Sequence, residues 1–232
     1  VMEPVIVTDG LTKRFGAKEA VRKLTLAVPD GSIYAFIGPN GAGKTTTIKM
    51  LMNIIQPESG RATVLATDST RLGPSHFERI GYVSETINLP GWMTVSELLS
   101  YCKPFYPTWD DDLCAALVKQ YALPLGEKIS RLSRGMHVKA ALLSVLSYRP
   151  RLLVLDEPFA GLDAVVREDF IRSMLELTTQ EQWSVFISSH DIDEIERLAD
   201  WVGFLDNGEL QCSESADSLQ GRFRRIEASL EN

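Results

Sequence analysis

The stretch GPNGAGKTT, Gly38, Pro39, Asn40, Gly41, Ala42, Gly43, Lys44, Thr45 and Thr46, holds the residue types a polyphosphate needs, in G-x-x-x-x-G-K-[ST] spacing. Small residues let the backbone wrap round phosphate oxygens, and the exposed amides, with a helix N-terminus behind them, supply positive potential. Lys44 is expected to reach the terminal phosphates, and the Thr45 hydroxyl to ligate Mg2+. In RLLVLDEP, residues 151–158, an apolar run ends in two carboxylates. Asp156 is expected to hold the magnesium through water, and Glu157 to take a proton from an attacking water. Alone, an acidic pair after a strand equally suits a turn or a helix cap. The third stretch, RLSRGMHVKA at 131–140, opens an amphipathic helix at Ser133, a residue type that caps helices by accepting a hydrogen bond from a first-turn amide. Whether it is only a cap, or half of a binding site, is left open by its own residues.

Such groups need rigid elements beneath them. Short apolar runs alternate with helical periods, the pattern of a parallel sheet with crossover helices. The segments IYAFIG (33–38), RLLVLDE (151–157) and WSVFISSH (183–190) predict central strands. Helical spacing comes after each, at Ile48, Leu51 and Ile55, at Val166, Phe170 and Met174, and at Ile192, Ile195 and Leu198. The cradle thus falls between a buried strand and a helix. VIVTDGLTKRF and AVRKLTLAVPDGS alternate apolar and polar residues, as an antiparallel sheet does, and Asn207-Gly208 in FLDNGELQC is a two-residue hairpin signal. Residues 86–147 carry aromatic, Pro- and Leu-rich helical stretches without a strand pattern and are expected to form a helical subdomain inserted into the α/β body. No repeat or linker divides the chain, so residues 1–232 are expected to be one domain.

At 232 residues and 44% hydrophobic the chain can bury a substantial core. No run approaches the roughly 18 apolar residues needed to cross a bilayer, and VMEPVIVTDG lacks the regions of a signal peptide, so a cytoplasmic location is expected. Three cysteines, Cys102, Cys114 and Cys212, without CxxC spacing, argue against a disulfide framework or a zinc site. A net charge of -7 without a basic tract argues against nucleic acid as a partner.

Phe15, GPNGAGKTT, GYVSE (81–85), LSRGM (132–136), LLVLDEP, AGLD (160–163) and the strand-end His190 occur in the motif order of one family. Over almost its whole length the chain resembles the nucleotide-binding subunit of ATP-binding cassette (ABC) transporters, similar to single-cassette bacterial exporter subunits. The resemblance implies an ABC ATPase fold: a P-loop core with a parallel sheet, an N-terminal antiparallel β subdomain and a helical subdomain inserted at 86–147. It also implies an ATPase that uses ATP and Mg2+, dimerises on ATP as a homodimer or with a related cassette, and powers a separate transmembrane subunit from the cytoplasmic face of the membrane. An ATP-gated regulatory module with little turnover is the alternative. Carried residue by residue, Phe15 stacks on adenine or else fills the antiparallel sheet's core, Glu157 is the general base and His190 touches the terminal phosphate. Ser133 and Gly135 bind the phosphate held by the opposite subunit, Asp163 crosses to that subunit or caps its own helix, and Glu85 joins Thr45 and Asp156 at the metal. Trp92, Phe105, Tyr106 and Trp109 either dock the membrane partner or pack the subdomain. Two departures stand out. Glu85 replaces the usual Gln, and Arg134 replaces a Gly, so that its guanidinium either adds charge near the phosphate or points idly to solvent.

Overall fold

In the computed structural model, which describes residues 3–162, 164–181, 183–193 and 196–222, the N-terminal alternation becomes an antiparallel sheet. Strands β1 (Ile6–Phe15) and β2 (Lys18–Val28) pair from Ile6 opposite Val28 to Phe15 opposite Lys18. The later β4 (Ser59–Val64) pairs with the other edge of β1, and the short β5 (Thr67–Asp68) with β4, giving the order β2-β1-β4-β5.

A second, six-stranded sheet is built around β3 (Ile33–Ile37), β7 (Leu152–Asp156) and β8 (Ser184–Ser189), the three apolar runs. With β6 (Ile80–Val83), β9 (Trp201–Asp206) and β10 (Glu209–Ser215) its order is β10-β9-β3-β8-β7-β6. Every pairing is parallel except that of β9 with β10, the hairpin closed by Asn207 and Gly208, both at positive φ. Sequence pattern alone leaves β4 and β6 unassigned; β6 runs into GYVSE and is an edge strand of four residues, too short for a periodicity to declare.

Alternate residues of the buried strands feed two cores. Tyr34, Phe36, Val154 and Phe186 point to the face that packs on the antiparallel sheet and α1 (Lys44–Leu51). Ala35, Ile37, Leu153, Leu155, Val185 and Ile187 belong to the opposite core, shared with helices α3 (Val95–Cys102), α4 (Asp111–Gln120), α5 (Arg134–Leu146) and α6 (Ala164–Glu181). Burial on both faces is why these strands are continuous apolar runs rather than alternating ones. Two short helices, α2 (Pro74–Phe77) and α7 (Ala216–Arg222), complete the chain.

The helix expected after β8 falls partly outside the described residues. After β8 the described residues form turns, with Ile192 exposed and Leu198 buried, while Ile195 lies outside the described residues. The Asp193 amide donates to the Asp191 carboxylate at 3.0 Å, the bond an N-cap makes, and the Glu196 amide donates to the Ile192 carbonyl at 2.9 Å with helical spacing.

Parallel pairing brings β3, β7 and β8 to a common carboxyl edge, with Ile37 beside Ser189 and Asp156 beside Ser188. The segments that leave these strands therefore converge: the cradle, Glu157 and His190. The β9–β10 hairpin braces the cradle from behind, since the Gly208 amide donates to the Ala42 carbonyl at 2.9 Å and the Gly208 carbonyl accepts from the Arg22 amide at 2.8 Å.

Candidate active site

Gly43 caps α1 at φ 111°, in a place where a Cβ would collide with the Ala20 carbonyl, so both backbone angle and space require glycine. No side chain caps α1, and its first-turn amides face the cradle. Lys44, only 5% exposed, points its ammonium at the Gly38 carbonyl (2.6 Å), the Pro39 carbonyl (3.3 Å) and Glu157 Oε1 (3.0 Å). The two carbonyls accept hydrogen bonds, whereas Glu157 Oε1 is held as an ion pair and has no hydrogen-bond partner among the described residues.

Asp156 is buried beside it. Its Oδ1 accepts from the Ser188 hydroxyl at 2.7 Å and the Thr45 hydroxyl at 3.2 Å, whereas Oδ2 is buried without a hydrogen-bond partner among the described residues. Burial pushes the carboxyl's pKa up, the charges of Glu85 and Glu157 push the same way, and the bonds from Ser188 and Thr45 oppose them. A buried carboxylate with an unpartnered oxygen next to a threonine hydroxyl is an all-oxygen site that a hard cation fits. Glu85, exposed, lines the same cleft.

Glu157 follows β7 at φ 49°, a left-handed conformation a non-glycine residue rarely adopts, with its amide donating to the Ser188 hydroxyl at 3.0 Å. Its side chain is 7% exposed and bridges two elements: Oε1 meets Lys44 and Oε2 lies 2.8 Å from His190 Nδ1. Ser188 thus holds the Asp156 carboxylate and the backbone amide of Glu157. Motif spacing does not find it, although the pair Ser188-Ser189 in an otherwise apolar buried strand is a visible signal that hydroxyls are wanted there.

The cleft above these groups, about 380 Å³, is also lined by Phe15, Lys18, Asn40, Gly41 and Thr46. Phe15 is 54% exposed, which excludes the alternative that it fills the sheet's core. The Lys13 ammonium stands 5.6 Å from its ring centroid.

Ser133 and Gly135 do not line this cleft. Ser133 is exposed and caps α5, accepting from the Met136 amide at 3.3 Å, so the local reading of a capped helix is correct as far as one chain goes. Gly135 packs so close to Val166 that a Cβ would lie 3.0 Å from its side chain. Asp163 lies outside the described residues.

An arrangement of open helix amides, lysine, an unpartnered carboxylate oxygen and a second carboxylate paired with histidine suits hydrolysis of a nucleoside triphosphate. Known proteins agree. The ABC transporter family profile matches residues 21–160. The chain is 32% identical to the bacitracin transport ATP-binding protein BcrA of Bacillus licheniformis, over 97% of this chain and 74% of that one. It is 31% identical to the probable multidrug ABC transporter ATP-binding protein YbhF of Escherichia coli, over 95% of this chain and 39% of that one. Among solved structures, an ATP-binding subunit of an ABC transporter superposes with TM-score 0.83 at 24% identity, covering 94% of this chain and 92% of that one. A dimeric ATP-binding cassette bound to ADP and phosphate superposes with TM-score 0.81 at 20% identity, covering 91% and 98%. Fold, motif order and relatives converge: the chain belongs to the ABC transporter family as an ATP-binding subunit that hydrolyses ATP.

Proposed function

We propose that this subunit closes with a second cassette, identical or related, around ATP held between them, and that the cycle of closure and hydrolysis powers a separate transmembrane partner that exports its cargo. The observation that carries this reading is the separation of two anion-seeking helix heads within one chain. The cleft at α1 contains Lys44, Thr45 and Glu157, while Ser133 and Gly135, at the head of α5, stand outside it. Donors displaced from the cleft serve a phosphate only when a second chain brings its own nucleotide to them.

In the cleft, Phe15 stacks on the adenine and the amides of residues 38–46 wrap the phosphates. The terminal phosphate replaces Glu157 on Lys44, and His190, on the carboxylate's other side, turns to that phosphate. Glu157 then accepts a proton from a water whose oxygen attacks the terminal phosphorus, and the bond to the bridging oxygen breaks to leave ADP and phosphate. Thr45, Asp156 and Glu85 would hold Mg2+, which neutralises phosphate charge when bound. Asp163 reaches across the seam to the other cassette. The intact contact between Glu157 and His190 favours this motor over a gate with little turnover.

Residues 86–147 form the helical subdomain that meets the membrane partner. Trp92 is 72% exposed and Phe105 and Tyr101 are exposed with their rings in contact, a docking surface of apolar side chains. Tyr106 stacks on Tyr148 at 3.8 Å and Trp109 packs on the core, so those two hold the subdomain together. No described helix is long and apolar enough to cross a membrane, which fits a subunit that works through a partner at the cytoplasmic face. Relatives named for bacitracin and multidrug transport support export as the direction.

The test is Glu157→Gln in the purified full chain with ATP and Mg2+. Turnover is expected to fall by about 10²–10⁴ while ATP still binds. Light scattering should then find a nucleotide-dependent dimer. Near-normal hydrolysis would remove Glu157 from its role; a variant that stays single at saturating ATP would remove the shared seam.

A further inference from the structure

Arg134, exposed at the head of α5, makes a contact within its own chain that neither reading of the sequence included. It is the first residue of α5, and its guanidinium lies flat against the α-carbon of Gly161: a Cβ on that glycine would sit 2.8 Å from Cζ, 2.9 Å from Nη1 and 3.0 Å from Nε. Gly161 sits at φ 69°, a conformation that favours glycine, and the absent side chain leaves room for the guanidinium. Bulk present at 134 is matched by bulk absent at 161.

The loop it presses on begins at Glu157. The Ala160 amide donates to the Glu157 carbonyl at 3.1 Å and the Leu162 amide to the Phe159 carbonyl at 3.0 Å, two consecutive tight turns that link Gly161 to the left-handed backbone of Glu157. Arg134, Glu157, Pro158, Ala160, Glu85 and His137 line one cavity of about 530 Å³. The next residue along α5, Gly135, meets Val166 of α6. The head of α5 is therefore seated by two successive contacts on the segment that carries Glu157 into α6.

We propose that Arg134 is a positioning residue for hydrolysis: its guanidinium face on Gly161 sets the turn that holds Glu157, and thereby links whatever occupies the head of α5 to the proton acceptor of the same chain. An anion arriving at α5 then presses on the loop through Arg134 rather than through a charge of its own. Small displacements matter here, since about 1 Å of misplacement in a catalytic group costs around 10² in rate.

This inference rests on Glu157 being the general base, and the experiment separates the two. Arg134→Ala and Arg134→Lys are compared with the wild-type full chain for kcat, KM for ATP and thermal midpoint, with Glu157→Gln alongside. Arg134→Ala is expected to lower kcat about tenfold with KM within about twofold and an unchanged midpoint. Arg134→Lys should fail to restore kcat, because an ammonium keeps the charge and loses the planar face. Turnover of Arg134→Ala within twofold of wild type would overturn the proposal. So would full rescue by Arg134→Lys, or a rise in KM at unchanged kcat, each of which points to charge at the phosphate instead. If Glu157→Gln hydrolyses normally the base assignment fails by itself, whereas a dead Glu157→Gln with an unaffected Arg134→Ala removes only the positioning role.

Discussion

The cradle at α1 and the head of α5 are both helix N-termini turned towards an anion, and they are built in opposite ways. At α1 the chain supplies its own occupant. Lys44 is buried, bonded to two backbone carbonyls and paired with the Glu157 carboxylate. At α5 the cap is an exposed Ser133 holding one long bond of 3.3 Å, with its flank propped by Arg134 on Gly161. The first head is preorganised within the fold; the second is exposed, as the proposed seam with a second cassette requires.

The largest expected way to break this contrast is Lys44→Ala. Removing one member of a buried ion pair leaves the other uncompensated, a loss of about 3–5 kcal/mol. Chemical denaturation of Lys44→Ala should show it, and the double variant with Glu157→Gln should recover part of it. Equal losses in the single and double variants would mean that the pair contributes nothing. Ser133→Ala comes next. It is expected to reduce stability by only about 0.5–1 kcal/mol, the lower range for a lost cap, while greatly weakening the dimer that Glu157→Gln traps. A dimer of unchanged affinity would leave the head of α5 as a structural cap. The smallest effect is expected from Phe15→Ala. Loss of one stacking ring should weaken ATP binding about tenfold, on the order of 1–1.5 kcal/mol, without a change in thermal midpoint, since the ring is mostly exposed. Calorimetric titration with ATP and a melting curve test both halves.

Legibility from sequence depended on whether the physics is local. The cradle is contiguous, so its glycines, Lys44 and Thr45 declare their roles together, and the three core strands betray themselves by apolar runs buried on both faces. The N-terminal strands and the Asn207-Gly208 turn come from period and φ preference. Contacts between distant residues were not legible. Nothing near Lys44 announces that Glu157 will occupy it, nothing near Asp156 announces Ser188, and Arg134 offered two readings because its true neighbour, Gly161, is reached only through the fold. Strands β4 and β6 escaped for another reason: they are short and take their places from pairing rather than pattern.

The bond from Gly208 to Ala42 ties the phosphate loop to a turn more than 160 residues further along the chain. A ribosome that has released every motif from Phe15 to His190 has still not finished the floor of the phosphate loop. Shortened chains ending before residue 201 would keep every recognisable signature and lack the strand and turn on which the loop rests.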